Sequence, residues 1–273
     1  VTSRRLPPWW RHAGAALAAL TLCLAVGASL VAQQPRNTFG FVSDNEYTPD
    51  GSENKPYDGR FQFVRLSYPY NLAGGLGRAG RVAPWAHDYP RGDAHYMQIL
   101  TEITKVKGRT GGSNTFGLSA PELAFYPFAY MSEPGFWRLT PEDTEGFRQY
   151  LLKGGFVIFD DFRGEDWANL QAQMRQVLPD LRFIELTGKE AVWHAFFEIP
   201  DPHVLEAPYG GLPESYWGLF EGNDVTKRMI AIANVNNDMS EYWEYSDQGF
   251  VPVDLSNEAY KFGVNYAIYA LTH

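Results

Sequence analysis

The sequence predicts a three-layer α/β domain with a mainly parallel sheet flanked by helices, and three observations carry that expectation. First, Gly154-Gly155 is followed by four apolar residues, Phe156-Val157-Ile158-Phe159, and then at once by Asp160-Asp161. A short continuous apolar run bounded by turn residues suits a strand buried on both faces, as in a parallel sheet between helices. Second, a helix signal stands directly before it. Thr140 is an N-cap, Pro141 takes the first helical position, Glu142 and Asp143 fill the first turn, and Gly154 is the stop. Helix then strand with almost no connection is the grammar of βαβ units. Third, Arg228-Met229-Ile230-Ala231-Ile232-Ala233 repeats the pattern, an apolar run leading into the polar stretch Asn234 to Asp238.

Composition bounds the function. The chain has 273 residues, enough for one large domain or two small ones, and its 45% apolar content supports a real core. A net charge of −9 and a pI near 5.2 argue against a nucleic-acid partner bound through a basic surface. Cys23 is the single cysteine and lies in an apolar N-terminal segment, so the domain has no internal disulfide, no Cys-based zinc cluster and no thiol nucleophile.

Taken in order, residues 1–32 form an export segment. Arg4, Arg5 and Arg11 precede an Ala- and Leu-rich core from Ala13 to Ala32. Small residues at Val26-Gly27-Ala28 and Leu30-Val31-Ala32 offer cleavage sites and favour a signal peptide. The core is about twenty residues, also long enough for a membrane anchor. Both readings place the domain outside the cytoplasm, in the periplasm or anchored to the inner membrane. Residues 33–59 are polar, with Pro35, Pro49 and Pro56, and read as a linker or irregular arm.

The domain runs from 60 to 273. Phe61 to Leu66 is its first strand. Gly74, Gly75, Gly77 and Gly80 follow in a flexible loop without the spacing or Lys of a phosphate loop. Asp93 is placed to cap a helix whose apolar face is Tyr96, Ile99, Leu100 and Ile103. Phe128 to Met131 is a short strand ending at Ser132-Glu133. Beyond the central strand, Trp167, Leu170, Met174, Val177 and Leu178 mark a helix, and Leu181 to Leu186 a strand. His194, in the aromatic stretch Val192 to Phe197, is expected to pack against rings, and His203 has no evident partner. Ser256 caps a final helix whose inner face is Ala259, Phe262, Gly263, Tyr266, Tyr269 and Ala270, with Leu255 and Tyr260 as a staple.

Polar residues therefore recur just after strands. In a parallel sheet those ends share one edge, where ligands bind. The expected binding edge comprises Asp88, Arg91, Asp93, Ser132, Glu133, Asp160, Asp161, Arg163, Asn237 and Asp238. At this edge Asp160, Asp161 and Asp88, joined by the adjacent His87, are the catalytic candidates, and Asp88, Asp160 and Asp161 the candidate cation ligands. Paired carboxylates can work as acid and base or hold a divalent cation. The competing expectation is that such Asp residues cap helices or pair with Arg91 or Arg163.

The order of these pieces resembles a bacterial family, domain-of-unknown-function family 4159. The matching pieces are Phe61 to Leu66; Asp88-Tyr89-Pro90 with Asp93; Tyr126-Pro127-Phe128 with Met131-Ser132; Phe147 with Gly154-Gly155-Phe156-Val157 and Asp160-Asp161; Asn237-Asp238 with Trp243-Glu244; and Gly263-Val264-Asn265 with Tyr269-Ala270-Leu271. The resemblance covers about Phe61 to His273. It implies a class I glutamine amidotransferase-like, flavodoxin-like fold. Those enzymes carry a catalytic Cys on the sharp elbow after the corresponding strand. Here Asp160-Asp161-Phe162-Arg163-Gly164 stands in that place, so amidotransferase chemistry is not implied.

With no thiol, no Gly-x-Ser-x-Gly elbow and no His-Glu-x-x-His metal motif, the expectation leans away from an enzyme. It is an exported, non-catalytic binding or interaction domain that presents its strand-end edge to a protein or glycan. Trp217, Tyr242 and Trp243 are candidate contacts. No cofactor is expected beyond a divalent cation, and a membrane is met only through a retained N-terminal segment. The alternatives are a carboxylate- or metal-dependent hydrolase at Asp88, Asp160 and Asp161, and a subunit of a membrane-associated complex.

Overall fold

The computed structural model describes residues 47–70, 82–208 and 211–273. The export segment, the linker up to residue 46 and the glycine-rich loop at 71–81 lie outside the described residues. Residues 47–60 hold no helix or strand. No helix among the described residues is long and apolar enough to cross a membrane.

Seven strands form one sheet: β1 (Val64–Ser67), β2 (Asn114–Gly117), β3 (Phe128–Ser132), β4 (Phe156–Phe162), β5 (Phe183–Glu185), β6 (Ser215–Phe220) and β7 (Met229–Val235). Their order is β2-β1-β3-β4-β7-β6-β5. Neighbours from β2 through β7 run parallel. β6 runs against both β5 and β7. The longer helices are α1 (Arg91–Ile103), α2 (Pro141–Leu152), α3 (Asp166–Val177) and α5 (Val253–Thr272), with a short α4 (Met239–Glu244) between β7 and α5.

Successive residues of the central strands divide between two cores, as the period of two in a strand requires. Phe128, Tyr130, Phe156, Ile158 and Ile232 face one core with Tyr96, Met97 and Leu100 of α1 and Phe262 and Tyr266 of α5. Ala129, Met131, Val157, Phe159, Ala231 and Ala233 face the other, with Phe147 and Leu151 of α2 and Leu170 and Met174 of α3. The sheet is thus the middle of three layers. β4 is buried along its whole length.

The start of β4 is as expected. Thr140 accepts from the Asp143 N–H while the Asp143 carboxylate accepts from the Thr140 N–H, a complete capping box. Gly154 adopts a φ of 112°, which residues with a Cβ rarely reach. A Cβ on Gly155 would run into the Tyr150 ring.

Several expectations need correction. β1 begins at Val64 rather than Phe61, which makes only an isolated bridge to Gly108. The Leu181–Leu186 strand shrinks to three residues. β2 and β6 had no clear sequence signal, since Asn114-Thr115-Phe116-Gly117 is half polar and Gly218 interrupts β6. Asp93 does not cap α1. The helix begins two residues earlier, and Asp93 pairs instead with a buried arginine. Ser256 lies inside α5, which starts at Val253, and its buried hydroxyl has no hydrogen-bond partner. His194 is not held among rings: its two nitrogens meet Glu198 Oε2 at 2.5 Å and the Gly188 carbonyl at 3.0 Å. His203 meets Glu214 Oε1 at 3.2 Å.

Candidate metal centre

The carboxyl ends of β1, β3, β4 and β7 bring a set of polar residues to one edge of the sheet. β4 ends in an irregularity. Its register with β7 shifts between Phe159 and Phe162, and Asp160 and Asp161 occupy the shift. Asp160 keeps the strand alternation and faces the α1–α5 layer. Asp161 takes a φ of 52°. Asp88, Glu133 and Asn236, each at or beyond another strand end, are also left-handed, with φ of 62°, 47° and 60°. Such backbone is costly for residues other than glycine and concentrates at functional sites.

Four side chains converge there. Ligand atoms of His87, Asp88, Asp161 and Asp238 all lie within 4.8 Å of one another. His87 Nδ1 sits 2.9 Å from Asp161 Oδ2 and 3.5 Å from Asp88 Oδ1. The three carboxylates are fully buried, while the His87 side chain is 29% exposed and forms the solvent-facing wall. Ser132 Oγ donates to Asp161 Oδ2 at 3.4 Å. Glu133 is buried beside them, and its N–H donates to the Asp160 carbonyl.

Asp160 has a different situation. Its Oδ1 accepts from Asn234 Nδ2 at 2.9 Å. Its Oδ2 is met by the Tyr130 hydroxyl and by the N–H groups of Met239 and Ser240. Asp160 therefore ties β4 to the start of α4. Asp238 caps the same helix, accepting from the Glu241 N–H at 3.0 Å.

Ser240 Oγ is the hub between these groups. It contacts Asp88 Oδ2, Asp238 Oδ1 at 3.0 Å and the Tyr130 hydroxyl at 2.7 Å. Tyr130 also meets Asp160 Oδ2 at 2.9 Å. Each of these four oxygen–oxygen contacts needs a proton between its atoms. The two hydroxyls supply two, and the other two must come from the carboxyls. The pKa directions agree. Burial pushes Asp88 well up, partly offset by His87, and pushes Asp238 well up with help from Asp161 and Asp88. Burial raises Asp160 to about 6 against the hydrogen bonds of Asn234 and Tyr130. For His87 burial disfavours the charged form, but Asp88 and Asp161 outweigh it and hold the pKa well above the ordinary value. The cluster thus carries more carboxyl groups than it has fixed cations to balance them.

Arg91 goes elsewhere. Arg91 Nη2 turns outward to Asp247 Oδ1 at 2.7 Å and the Glu244 carbonyl at 3.3 Å. The Arg163 main-chain N–H, not its guanidinium, donates to Asp166 Oδ2 at 3.3 Å. The buried arginine is Arg65 of β1. It forks onto Asp93 through Nε at 3.2 Å and Nη2 at 2.5 Å, and its Nη1 donates to the carbonyls of Trp85 and His87. Asp93 thus supports the loop that carries His87 without joining the cluster. Asn237 likewise works from behind, donating to Tyr216 Oη at 2.9 Å and accepting from the Asp238 N–H.

Sequence reasoning missed Arg65, Tyr130, Ser240, Glu241 and Glu244. An Arg inside the apolar run Phe63-Val64-Arg65-Leu66 signals a buried partner. The spacing Asp238, Glu241, Glu244 puts three carboxylates on neighbouring turns of one short helix. Tyr242 and Trp243, expected as contacts for a protein or glycan, are buried in the α1–α5 layer, where the Trp243 and Tyr96 ring centroids lie 4.7 Å apart. Trp217 lies against Trp167 at 5.6 Å.

Among curated proteins no match to this chain is found. A family model described as "Domain of unknown function (DUF4159)" matches residues 65–271, which contain every strand end and every carboxylate of the cluster. The chain belongs to the domain-of-unknown-function family 4159.

Proposed function

We propose that this domain is a divalent-cation-dependent hydrolase whose ion is held by His87, Asp88, Asp161 and Asp238. The observation that carries the reading is the convergence of one nitrogen donor and three buried carboxylates within 4.8 Å at the strand-end edge. Mixed imidazole and carboxylate donors suit Mn²⁺, Fe²⁺ or Zn²⁺ better than a purely oxygen-seeking ion. Four protein ligands leave positions for water in an octahedral shell, and a bound cation lowers the pKa of such a water toward neutrality. His87, the exposed wall of the site, borders the side from which a substrate would arrive.

The order of the parallel strands, β2-β1-β3-β4-β7, follows the flavodoxin-like winding, in which ligands sit at the edge where connections diverge. It supports an amidotransferase-like ancestry for the scaffold, with Asp161 at the elbow in place of a thiol. A second reading is a non-catalytic binding domain with a structural ion. It is favoured by the full burial of three of the four ligands.

Titration of the EDTA-stripped full chain with Mn²⁺, Zn²⁺, Mg²⁺ and Ca²⁺, followed by melting and by turnover of phosphate esters, carboxylate esters and glycosides, tests both. A melting shift with turnover supports the hydrolase, and a shift without turnover leaves the binding domain. No shift with any ion removes the cation site. We also propose, from the basic head and apolar core of residues 1–32, that this segment directs the domain across the inner membrane. A reporter fused after His273 should be active only outside the cytoplasm.

A further inference from the structure

Directly beside the quartet lies a second group of carboxylates. Asp88, Glu241 and Glu244 also offer ligand atoms within 4.8 Å of one another, so Asp88 belongs to both groups. Glu244 is the informative member. It is only 1% exposed, and neither of its carboxylate oxygens receives a well-formed hydrogen bond. An ionised carboxylate left so in a protein interior costs several kcal/mol unless something positive meets it. Arg91 bonds the Glu244 main-chain carbonyl and Asp247 rather than the carboxylate, and burial still raises the Glu244 pKa against the partial offset of His87, Asp88 and Arg91. Two of the side chains beside the Glu244 carboxylate, Asp88 and Glu241, are themselves carboxylates. Carboxyl groups facing one another hold together only through a shared proton or a cation.

We infer that the site is dinuclear: a second divalent cation binds between Asp88, Glu241 and Glu244, and Asp88 bridges it to the ion held by His87, Asp161 and Asp238. This rests on the cation site proposed above and goes beyond it in number and in ligands. The local folding supports it. The short helix α4 delivers Asp238 at its cap to the first ion and Glu241 and Glu244 from its successive turns to the second. Asp88, held left-handed after β1, stands between them with one oxygen toward His87 and the other on Ser240. The second position is made of oxygen donors alone, so it prefers Mg²⁺ or Mn²⁺ where the first, with its imidazole, tolerates Zn²⁺. A carboxylate-bridged pair clamps both oxygens of a displacement at a tetrahedral centre, which points to phosphoester substrates ahead of glycosides.

The test is the stoichiometry and magnetic coupling of Mn²⁺ on the EDTA-stripped full chain. The wild type should take up two Mn²⁺ per chain and show the exchange-coupled spectrum of a bridged pair in electron paramagnetic resonance. Glu244→Gln should retain one ion, lose the coupling and weaken the second uptake by at least ~10-fold. Glu241→Gln gives an independent reading should Glu244→Gln fold poorly, and the wild-type spectrum stands without either variant. One ion in the wild type overturns the dinuclear site and leaves the single-ion proposal intact. Two ions in both wild type and Glu244→Gln overturn the assignment of Glu244. No bound ion at all overturns both proposals together.

Discussion

His87 Nδ1 lies 2.9 Å from Asp161 Oδ2, joining the loop after β1 to the end of β4 across 74 residues of chain. The contact exists because β1, β3 and β4 are parallel and adjacent, so their carboxyl ends open on the same edge. It places the imidazole against a carboxylate that the sequence marks only as one of a pair. Asp160, its neighbour, is saturated by Tyr130, Asn234 and two N–H groups, and the two residues separate into a structural and a ligand position.

That separation gives the first prediction. Asp161→Asn should weaken Mn²⁺ binding by roughly 10–100-fold, since it removes a charged donor and reverses the hydrogen-bond demand on His87. The melting shift at fixed Mn²⁺ reports it directly. Asp160→Asn should lower the melting temperature of the ion-free protein while leaving the ion-induced shift largely in place. Equal loss of the shift in both variants would contradict the division of roles.

A second prediction concerns the support beneath His87. Arg65 is fully buried and held by Asp93 and by the carbonyls of Trp85 and His87. Asp93→Ala leaves the guanidinium charge without its counterion and should cost about 3–5 kcal/mol in denaturant unfolding. Arg65→Met with Asp93→Leu should recover much of that loss, because the pair is replaced by apolar volume. Recovery of stability without recovery of cation binding would show that the pair serves to position the His87 loop.

The central strand supplies a third. Ile158 is fully buried and registers with Tyr130 of β3 and Ile232 of β7. Ile158→Asp places an unpaired carboxylate in that layer, at a cost of several kcal/mol, and should abolish cooperative unfolding. A well-folded variant with the native melting temperature would refute the burial of β4.

The fold was legible where local signals and tertiary demand agree. The Thr140 N-cap, the Gly154–Gly155 turn and the apolar run of β4 all point to one structure, and each is present. β2 and β6 were not legible, because each owes its place to pairing with a neighbour rather than to its own pattern. The convergence of Asp88, Asp161 and Asp238 follows from the rule that parallel strand ends share an edge. Which partner each charge would choose was not legible. Arg91 and Arg163 were the visible counterions. The buried one is Arg65, two residues into an apolar strand, and it serves Asp93 rather than the cluster. Side-chain choice between competing partners is set by distances of a few ångströms that one-dimensional spacing does not carry.

The last prediction is the pH dependence of the ion-free domain. The raised pKa of Asp160, near 6, and the larger upward displacements of Asp88 and Asp238 mean that the folded state binds these protons more tightly than the unfolded chain. For His87 the displacement is also upward, driven by Asp88 and Asp161 against burial. Both kinds of group therefore act in one direction. The folded protein holds more protons than the unfolded one wherever pH lies between the unfolded and folded values, and stability falls as pH rises through that interval. For Asp160 the interval runs from about 4 to about 6. For His87 it begins near 6.5 and extends above. The ion-free domain should thus melt at a higher temperature at pH 5.5 than at pH 7.5, opposite to the usual acid sensitivity of carboxylates held by salt bridges. A divalent cation competes with the same protons, so saturating Mn²⁺ should raise the melting temperature most at pH 7.5 and least at pH 5.5. Melting curves at both pH values, with EDTA and with Mn²⁺, read the two effects at once. An ion-free domain that is more stable at pH 7.5 than at pH 5.5 would show that the buried carboxyls are ionised in the folded state and that another charge balances them.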